Sequence, residues 1–120
     1  QGQHIVFVGT GMVNLPLSIM LLHKKCSLTL CNEYTEDIKS KTNLADILIV
    51  GCGQSKLIKK DWIKDNVIII DIGIHKNDDK LNGDVDYTDV IDKVKYITPV
   101  PGGIGPLTVC MLLNNLVKSI

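Results

Sequence analysis

Four short apolar runs, each closed by a glycine or a polar break, constrain this chain more than any other feature. His4–Val8 stops at Gly9, Ser27–Cys31 alternates and is rich in β-formers, Asp46–Val50 is closed by Gly51-Cys52-Gly53, and Val67–Ile72 is nearly all β-branched. Apolar runs this short are strands rather than helices, and a β-branched run without alternation suits a central strand covered on both faces. Between them lie segments with a different pattern. Val13–His23 spreads apolar residues over most of a helix surface, with Pro16 tolerated only in its first turn. Thr35–Ser40 reads as a short helix, Lys59–Lys64 as a short helical segment around Trp62, and Tyr87–Lys93 as a helix. His75–Gly83 is polar, contains Asn82-Gly83 and reads as a loop; Tyr96–Thr98 is a short strand. Pro99–Pro106 is a proline-glycine loop, and Leu107–Val117 a closing amphipathic helix.

Strands separated by helical segments of this length imply right-handed βαβ units and a parallel sheet. The expected fold class is therefore α/β, a Rossmann-type doubly wound parallel sheet of five or six strands. At 120 residues the chain suits a single domain spanning 1–120.

Glycines at the first strand-to-helix turn sharpen this reading. In Gly9-Thr10-Gly11-Met12-Val13-Asn14 the backbone can approach a diphosphate, and the helix that follows offers free amides and a partial positive charge. The third glycine of the usual dinucleotide fingerprint is replaced by Asn14. About twenty residues on, the second strand ends at Cys31-Asn32-Glu33. A carboxylate there can accept hydrogen bonds from an adenosine ribose and repels a 2′-phosphate. Glu33 reads equally well as an ordinary surface carboxylate, and Lys24 or Lys25 stands near enough in sequence to offer a phosphate a positive charge.

Composition narrows the function classes. Thirteen cationic side chains balance thirteen anionic ones, so no net charge points to a nucleic acid, and no basic stripe interleaves with aromatics. Every cation is lysine; arginine, the preferred clasp for a phosphate, is absent, which with Glu33 leans the cofactor toward NAD over NADP. Cys26, Cys31, Cys52 and Cys110 form no Cys-x-x-Cys pair and no metal site is expected; they read as reduced, packed thiols. No apolar run approaches the ~20 residues of a membrane span, and no basic-then-apolar leader opens the chain. The expected location is the cytoplasm, or an organelle matrix. His4, His23 and His75 read as surface or edge residues, and Trp62 as a packing anchor.

The most specific stretch is Tyr96-Ile97-Thr98-Pro99-Val100-Pro101-Gly102-Gly103-Ile104-Gly105-Pro106-Leu107-Thr108. So many conformational specialists together fix an unusual path, of the kind that brings backbone close to a flat ligand. This stretch resembles the signature of the bifunctional methylenetetrahydrofolate dehydrogenase/methenyltetrahydrofolate cyclohydrolases. Ala45–Val50 with Gly53-Gln54, Asp61–Lys64, Val67–Ile74 and Gly83-Asp84-Val85 match the same family in order, so the resemblance covers essentially the whole chain.

The resemblance implies an oxidoreductase and hydrolase of one-carbon folate metabolism. Hydride passes from 5,10-methylenetetrahydrofolate to NAD(P)+, and the methenyl product is hydrolysed to 10-formyltetrahydrofolate. It also implies that this chain matches the cofactor-binding domain. The Tyr-x-x-x-Lys motif, whose lysine is central to the cyclohydrolase step, belongs to a preceding domain and has no counterpart here. The chain alone is then expected to be inactive, with no catalytic residue of its own, a tetrahydrofolate derivative reached through the other domain, and a homodimer as its assembly.

Carried over by position, Gly9, Thr10 and Gly11 would line the diphosphate, and Asn32 and Glu33 would meet the adenosine ribose. Gly51, Cys52 and Gly53 would pass under the cofactor. Gly73, Ile74, Thr98 and Pro99 would approach the nicotinamide, and Gly102 and Gly103 would face the folate cleft. Departures stand beside these matches. The family usually has Gly-Arg-Ser, then Val-Gly-x-Pro; here the turn is one residue shorter, with Thr10 in the arginine's place and Asn14 in the glycine's. Where the family often has His-Ser after the second strand, this chain has Asn32-Glu33. NAD preference or a weakened site follows, which leaves two further readings: another two-domain Rossmann dehydrogenase, or a non-catalytic nucleotide-binding or dimerisation module. Asp71 and Asp84 each fit either a loop-capping role or proximity to ligand.

Overall fold

A computed structural model describes residues 3–9, 18–19, 21–22, 26–73, 75–77 and 80–98, without the side chains of 75–77, 80 and 81. Its centre is a five-stranded, all-parallel sheet built from β1 (His4–Val8), β2 (Ser27–Cys31), β3 (Ile47–Val50), β4 (Ile68–Asp71) and a fifth strand at Tyr96–Ile97. β2 lies at one edge, followed by β1, β3, β4 and then Tyr96–Ile97 at the other edge. The α/β doubly wound expectation is thus met, strand for strand, in the four apolar runs.

Burial explains why these runs pair as they do. Every residue of β3 is buried, as are Ile69, Ile70 and Asp71 of β4, because both strands have neighbours on each side and cover on each face. Successive side chains point to opposite faces, and two apolar clusters result. Val6, Val8, Leu48, Val50 and Ile69 join Ile58, Ile63, Val67, Val85 and Val90 in one. Ile5, Phe7, Ile47, Ile49 and Ile70 form the other with Leu21. Each fully buried Ile or Leu contributes about 1.5–3 kcal/mol relative to exposure. At the sheet edge β2 is the least covered of the first four strands: Ser27 and Leu30, on opposite faces, both reach solvent, and only Cys31 is fully buried.

The connections differ from expectation in four places. The helix expected at Thr35–Ser40 instead runs Ile38–Thr42 (α1), because Asp37 takes a left-handed conformation and its carboxylate caps the amide of Ser40. Lys59–Lys64 contains a single 3-10 turn, Lys60–Trp62, where Trp62 packs against the first cluster and its carbonyl accepts the Thr42 hydroxyl at 2.5 Å. His75–Gly83 is not a plain loop: β5 (His75–Asn77) and β6 (Lys80–Asn82) form an antiparallel hairpin outside the main sheet. Polar strands paired through their backbones carry no apolar alternation to announce them. The helix expected over Tyr87–Lys93 is the shorter α2 (Tyr87–Val90), and the fifth parallel strand, Tyr96–Ile97, takes its place in chain order as β7.

In the connection after β1, residues 18, 19, 21 and 22 are helical, within the expected Val13–His23 helix. The rest of that segment, the Pro99–Pro106 loop and the Leu107–Val117 helix lie outside the described residues. Cys26, Cys31 and Cys52 carry reduced thiols. No helix among the described residues is long and apolar enough to cross a membrane.

Candidate functional site

The chain leaves β1 for β2 on one side, then crosses back to place β3 on the other. The gap between the carboxyl ends of β1 and β3 is therefore a topological switch point, where open α/β sheets bind their ligands. The strands end level: Val8 pairs with Cys31 on one side and Val50 on the other, and Val50 with Asp71. Gly9 donates to the Cys31 carbonyl and Gly51 to the Val8 carbonyl, both at 2.8 Å, so the ladder runs one residue past the strands. Gly9 turns there with φ +103°, and a Cβ on it would lie 2.7 Å from the Gly51 carbonyl carbon and closer still to the oxygen. Only glycine lets these two loop backbones touch.

Beyond β2 a second turn is locked by reciprocal bonds. The Asn32 amide donates to the Thr35 hydroxyl at 2.8 Å, the Thr35 amide to the Asn32 carbonyl at 3.0 Å, and the Tyr34 amide to Asn32 Oδ1 at 2.9 Å. Asn32 thus spends its side-chain oxygen inside its own turn. Glu33 and Tyr34 are presented at the tip, both exposed.

The third turn, after β3, is held by a distant carboxylate. Asp84, wholly buried, accepts the amides of Cys52 at 2.8 Å and Gly53 at 3.2 Å through Oδ2. Gly73 lies directly against that carboxyl group, and a Cβ there would overlap it. Asp71 does the same one strand over. Its Oδ1 accepts the amides of Gly73 at 2.9 Å and Asp84 at 3.1 Å, and its Oδ2 accepts Val85 at 3.0 Å. Its own amide donates to the Thr98 hydroxyl at 2.8 Å, which ties β4 to the segment after β7. Burial pushes the Asp71 carboxyl above the usual carboxylate range, with the charge of Asp84 adding to it, against the pull of three amide hydrogen bonds. Both aspartates are therefore loop clamps, as the capping reading expected.

These turns enclose a cavity of about 400 Å³ lined by Val8, Gly9, Asn32, Glu33, Tyr34, Ile38, Gly51, Cys52, Gln54 and Leu57. Among these Glu33 alone carries a charge. Burial raises the pKa of the Cys52 thiol, and the Asp84 carboxylate beside it adds to the shift, so Cys52 presents a neutral thiol.

Of the residues singled out in the sequence, Gly9, Asn32, Glu33, Gly51 and Cys52 meet on this one cavity. Gly53, at φ +77°, completes the Asp84-bound turn, and Gly73 is buried beneath Asp84. Thr98 stands elsewhere, on a cavity of about 90 Å³ with Lys56, Asp71 and Tyr87, its hydroxyl committed to the Asp71 backbone. Thr10, Gly11, Ile74, Pro99, Gly102 and Gly103 lie outside the described residues. Of this lining, sequence reasoning missed Val8, Tyr34, Ile38, Gln54 and Leu57. Tyr34 had a signal, an aromatic directly beyond the candidate ribose carboxylate, whereas Ile38 and Leu57 arrive only through packing.

Residues 1–120 match the family model described as tetrahydrofolate dehydrogenase/cyclohydrolase, NAD(P)-binding domain. The chain belongs to this family. Among curated relatives of the tetrahydrofolate dehydrogenase/cyclohydrolases it is 45% identical, over 120 residues, to the bifunctional protein FolD of Fusobacterium nucleatum, covering 99% of this chain and 42% of that protein. It superposes on the bifunctional FolD methylenetetrahydrofolate dehydrogenase/cyclohydrolase of Campylobacter jejuni with a TM-score of 0.86 at 41% identity, over 99% of this chain and 43% of that one. For the Trypanosoma brucei methylenetetrahydrofolate dehydrogenase-cyclohydrolase, solved with NADP cofactor and inhibitor, the TM-score is 0.80 at 35% identity, over 97% and 43%. The chain thus spans a little over two-fifths of the length of the relatives it matches, and the part it matches is their NAD(P)-binding domain.

Proposed function

We propose that this chain supplies the cofactor half of an enzyme that oxidises 5,10-methylenetetrahydrofolate and hydrolyses the methenyl product, and that its cofactor is NAD+ in preference to NADP+. The observation that supports it is the Gly9–Gly51 backbone contact at the switch point, opening on a cavity whose one described charge is a carboxylate. A dinucleotide fits this chemistry. Gly9 leaves room where a side chain would fill the approach to a diphosphate, and Glu33 offers acceptors to the two hydroxyls of a ribose. The same carboxylate opposes a 2′-phosphate, and no cation stands among the described lining residues to offset it.

When bound, the nicotinamide would take up the hydride. The chain's own residues bind and orient. Asp84 fixes the Cys52–Gly53 turn, and Asp71 fixes the turns at Gly73 and Asp84-Val85, so the floor under the cofactor is rigid before it arrives. No described residue of the cavity is placed to carry the hydrolytic step, which in this reading needs the lysine of the folate-binding half.

Calorimetric titration of the chain with NAD+ and with NADP+ tests the proposal. Saturable binding with NAD+ the tighter ligand is expected. Tighter NADP+ overturns the reading of Glu33, and silence toward both replaces the enzyme half with a non-catalytic module. The implied homodimer is checked by light scattering over a range of concentrations.

A further inference from the structure

Tyr34 is 83% exposed, yet it lines the same cavity as Gly9 and Gly51. An aromatic ring left this open forgoes the stabilisation that burial gives most large side chains. Its position is not a loose one. Its amide is tied to Asn32 Oδ1 at 2.9 Å, and the turn around it is closed by the bonds between Asn32 and Thr35. The ring is thus carried on a fixed backbone, one residue beyond the carboxylate that the proposed function assigns to the ribose. Ile38 and Leu57, both half-buried against the first core cluster, add apolar surface to the same cavity.

We propose that Tyr34 is the adenine platform of this site: its ring stacks on the base of an adenine dinucleotide whose ribose is held by Glu33, with Ile38 and Leu57 as the apolar lining. This rests on the reading of the cavity as a dinucleotide site. The physical basis is that a flat base offers a π-face to an aromatic ring irrespective of hydrogen-bond pattern, and that a pre-positioned ring loses little freedom on contact. Because the ring is exposed and belongs to neither core cluster of the described residues, its removal is expected to leave the thermal midpoint unchanged.

The test compares the wild-type chain with Tyr34→Ala and Tyr34→Phe, titrated with NAD+, ADP-ribose and nicotinamide mononucleotide. In the wild type, ADP-ribose is expected to shift the Tyr34 ring protons upfield in NMR spectra, and nicotinamide mononucleotide is not. Tyr34→Ala is expected to weaken NAD+ and ADP-ribose about tenfold while leaving nicotinamide mononucleotide unchanged, and Tyr34→Phe to bind as the wild type does. Equal ADP-ribose affinity in wild type and Tyr34→Ala overturns the platform while the dinucleotide site stands. An equal loss for all three ligands, or a changed molecular mass in Tyr34→Ala, overturns it in favour of a structural or self-association role. A wild type that binds neither NAD+ nor ADP-ribose removes the dinucleotide reading and the platform with it.

Discussion

Asp84 reaches back thirty-two residues to accept the amide of Cys52 at 2.8 Å, and in doing so holds the floor of the candidate cofactor cavity from behind. The same oxygen takes the Gly53 amide, so two adjacent N–H groups of a glycine-rich turn converge on one carboxylate. Hydrogen bonds to a charged acceptor are stronger than neutral ones, and a buried N–H that loses its acceptor pays a desolvation cost.

Replacing Asp84 by Ala leaves the Cys52 and Gly53 amides without this acceptor. A loss of roughly 2–4 kcal/mol of stability is expected, measured by urea unfolding. Asp84→Asn retains one oxygen and should lose clearly less. For both variants, dinucleotide affinity measured well below the thermal midpoint should fall in the same order as stability.

Gly9 and Gly53 both have positive φ, but they differ in what surrounds them. Gly9→Ala places a methyl group into the Gly51 carbonyl, whereas nothing lies within 4 Å of a Cβ at Gly53. The Gly53→Ala cost is therefore conformational strain alone, roughly 1–3 kcal/mol. Gly9→Ala adds steric overlap with backbone and should cost more, with loss of NAD+ binding. Unfolding curves for the two variants, with calorimetry on Gly9→Ala, decide this; equal costs would show that the Gly9–Gly51 contact relaxes freely.

Asp71 gives the chain an acid-side signature. Desolvation raises its pKa in the folded state above the usual value of about 3.9. Between that value and the raised one, the native state holds a proton that the unfolded state has released, so this group's contribution to stability grows as pH falls through the window and shrinks as pH rises. Asp71→Asn removes the titration and turns an amide NH₂ toward donors, so it is less stable throughout. Its deficit relative to wild type should widen as pH is lowered through that window. Asp46 acts in the opposite sense further down: the His4 amide and then Lys64 lower its pKa, so its contribution is lost as pH falls below the usual carboxylate value. Urea midpoints of wild type and variant across the acid range separate the two.

Glu33 sets the dinucleotide preference in this reading. Glu33→Ser removes the carboxylate next to the proposed ribose, and NADP+ should gain about tenfold relative to NAD+, the equivalent of 1.4 kcal/mol. Competition titrations report the ratio. An unchanged ratio would mean that the charge faces solvent and not the ligand.

Much of the fold was legible because it rests on local chemistry. The runs at His4–Val8, Asp46–Val50 and Val67–Ile72 could hardly be anything but buried strands, and the glycines at 9, 51 and 53 marked the turns that follow β1 and β3. The candidate site was legible only in part. Asn32 and Glu33 look alike as ribose partners in sequence, but the Asn32 oxygen closes its own turn. Thr98 reads in sequence as a cofactor contact, and the structure adds that its hydroxyl ties the end of β7 to β4. The β5–β6 hairpin left no signal, since its polar strands pair through backbone groups that every residue possesses.

What the sequence alone determined is the set of strands and the places where the chain must turn, because burial periodicity and glycine's freedom act over a few residues. Only the tertiary structure decided which turn each carboxylate holds, which glycines touch, and which aromatic borders the cavity. Those contacts join positions dozens of residues apart, and they exist only once parallel pairing has brought the carboxyl ends of β1, β2, β3 and β4 level.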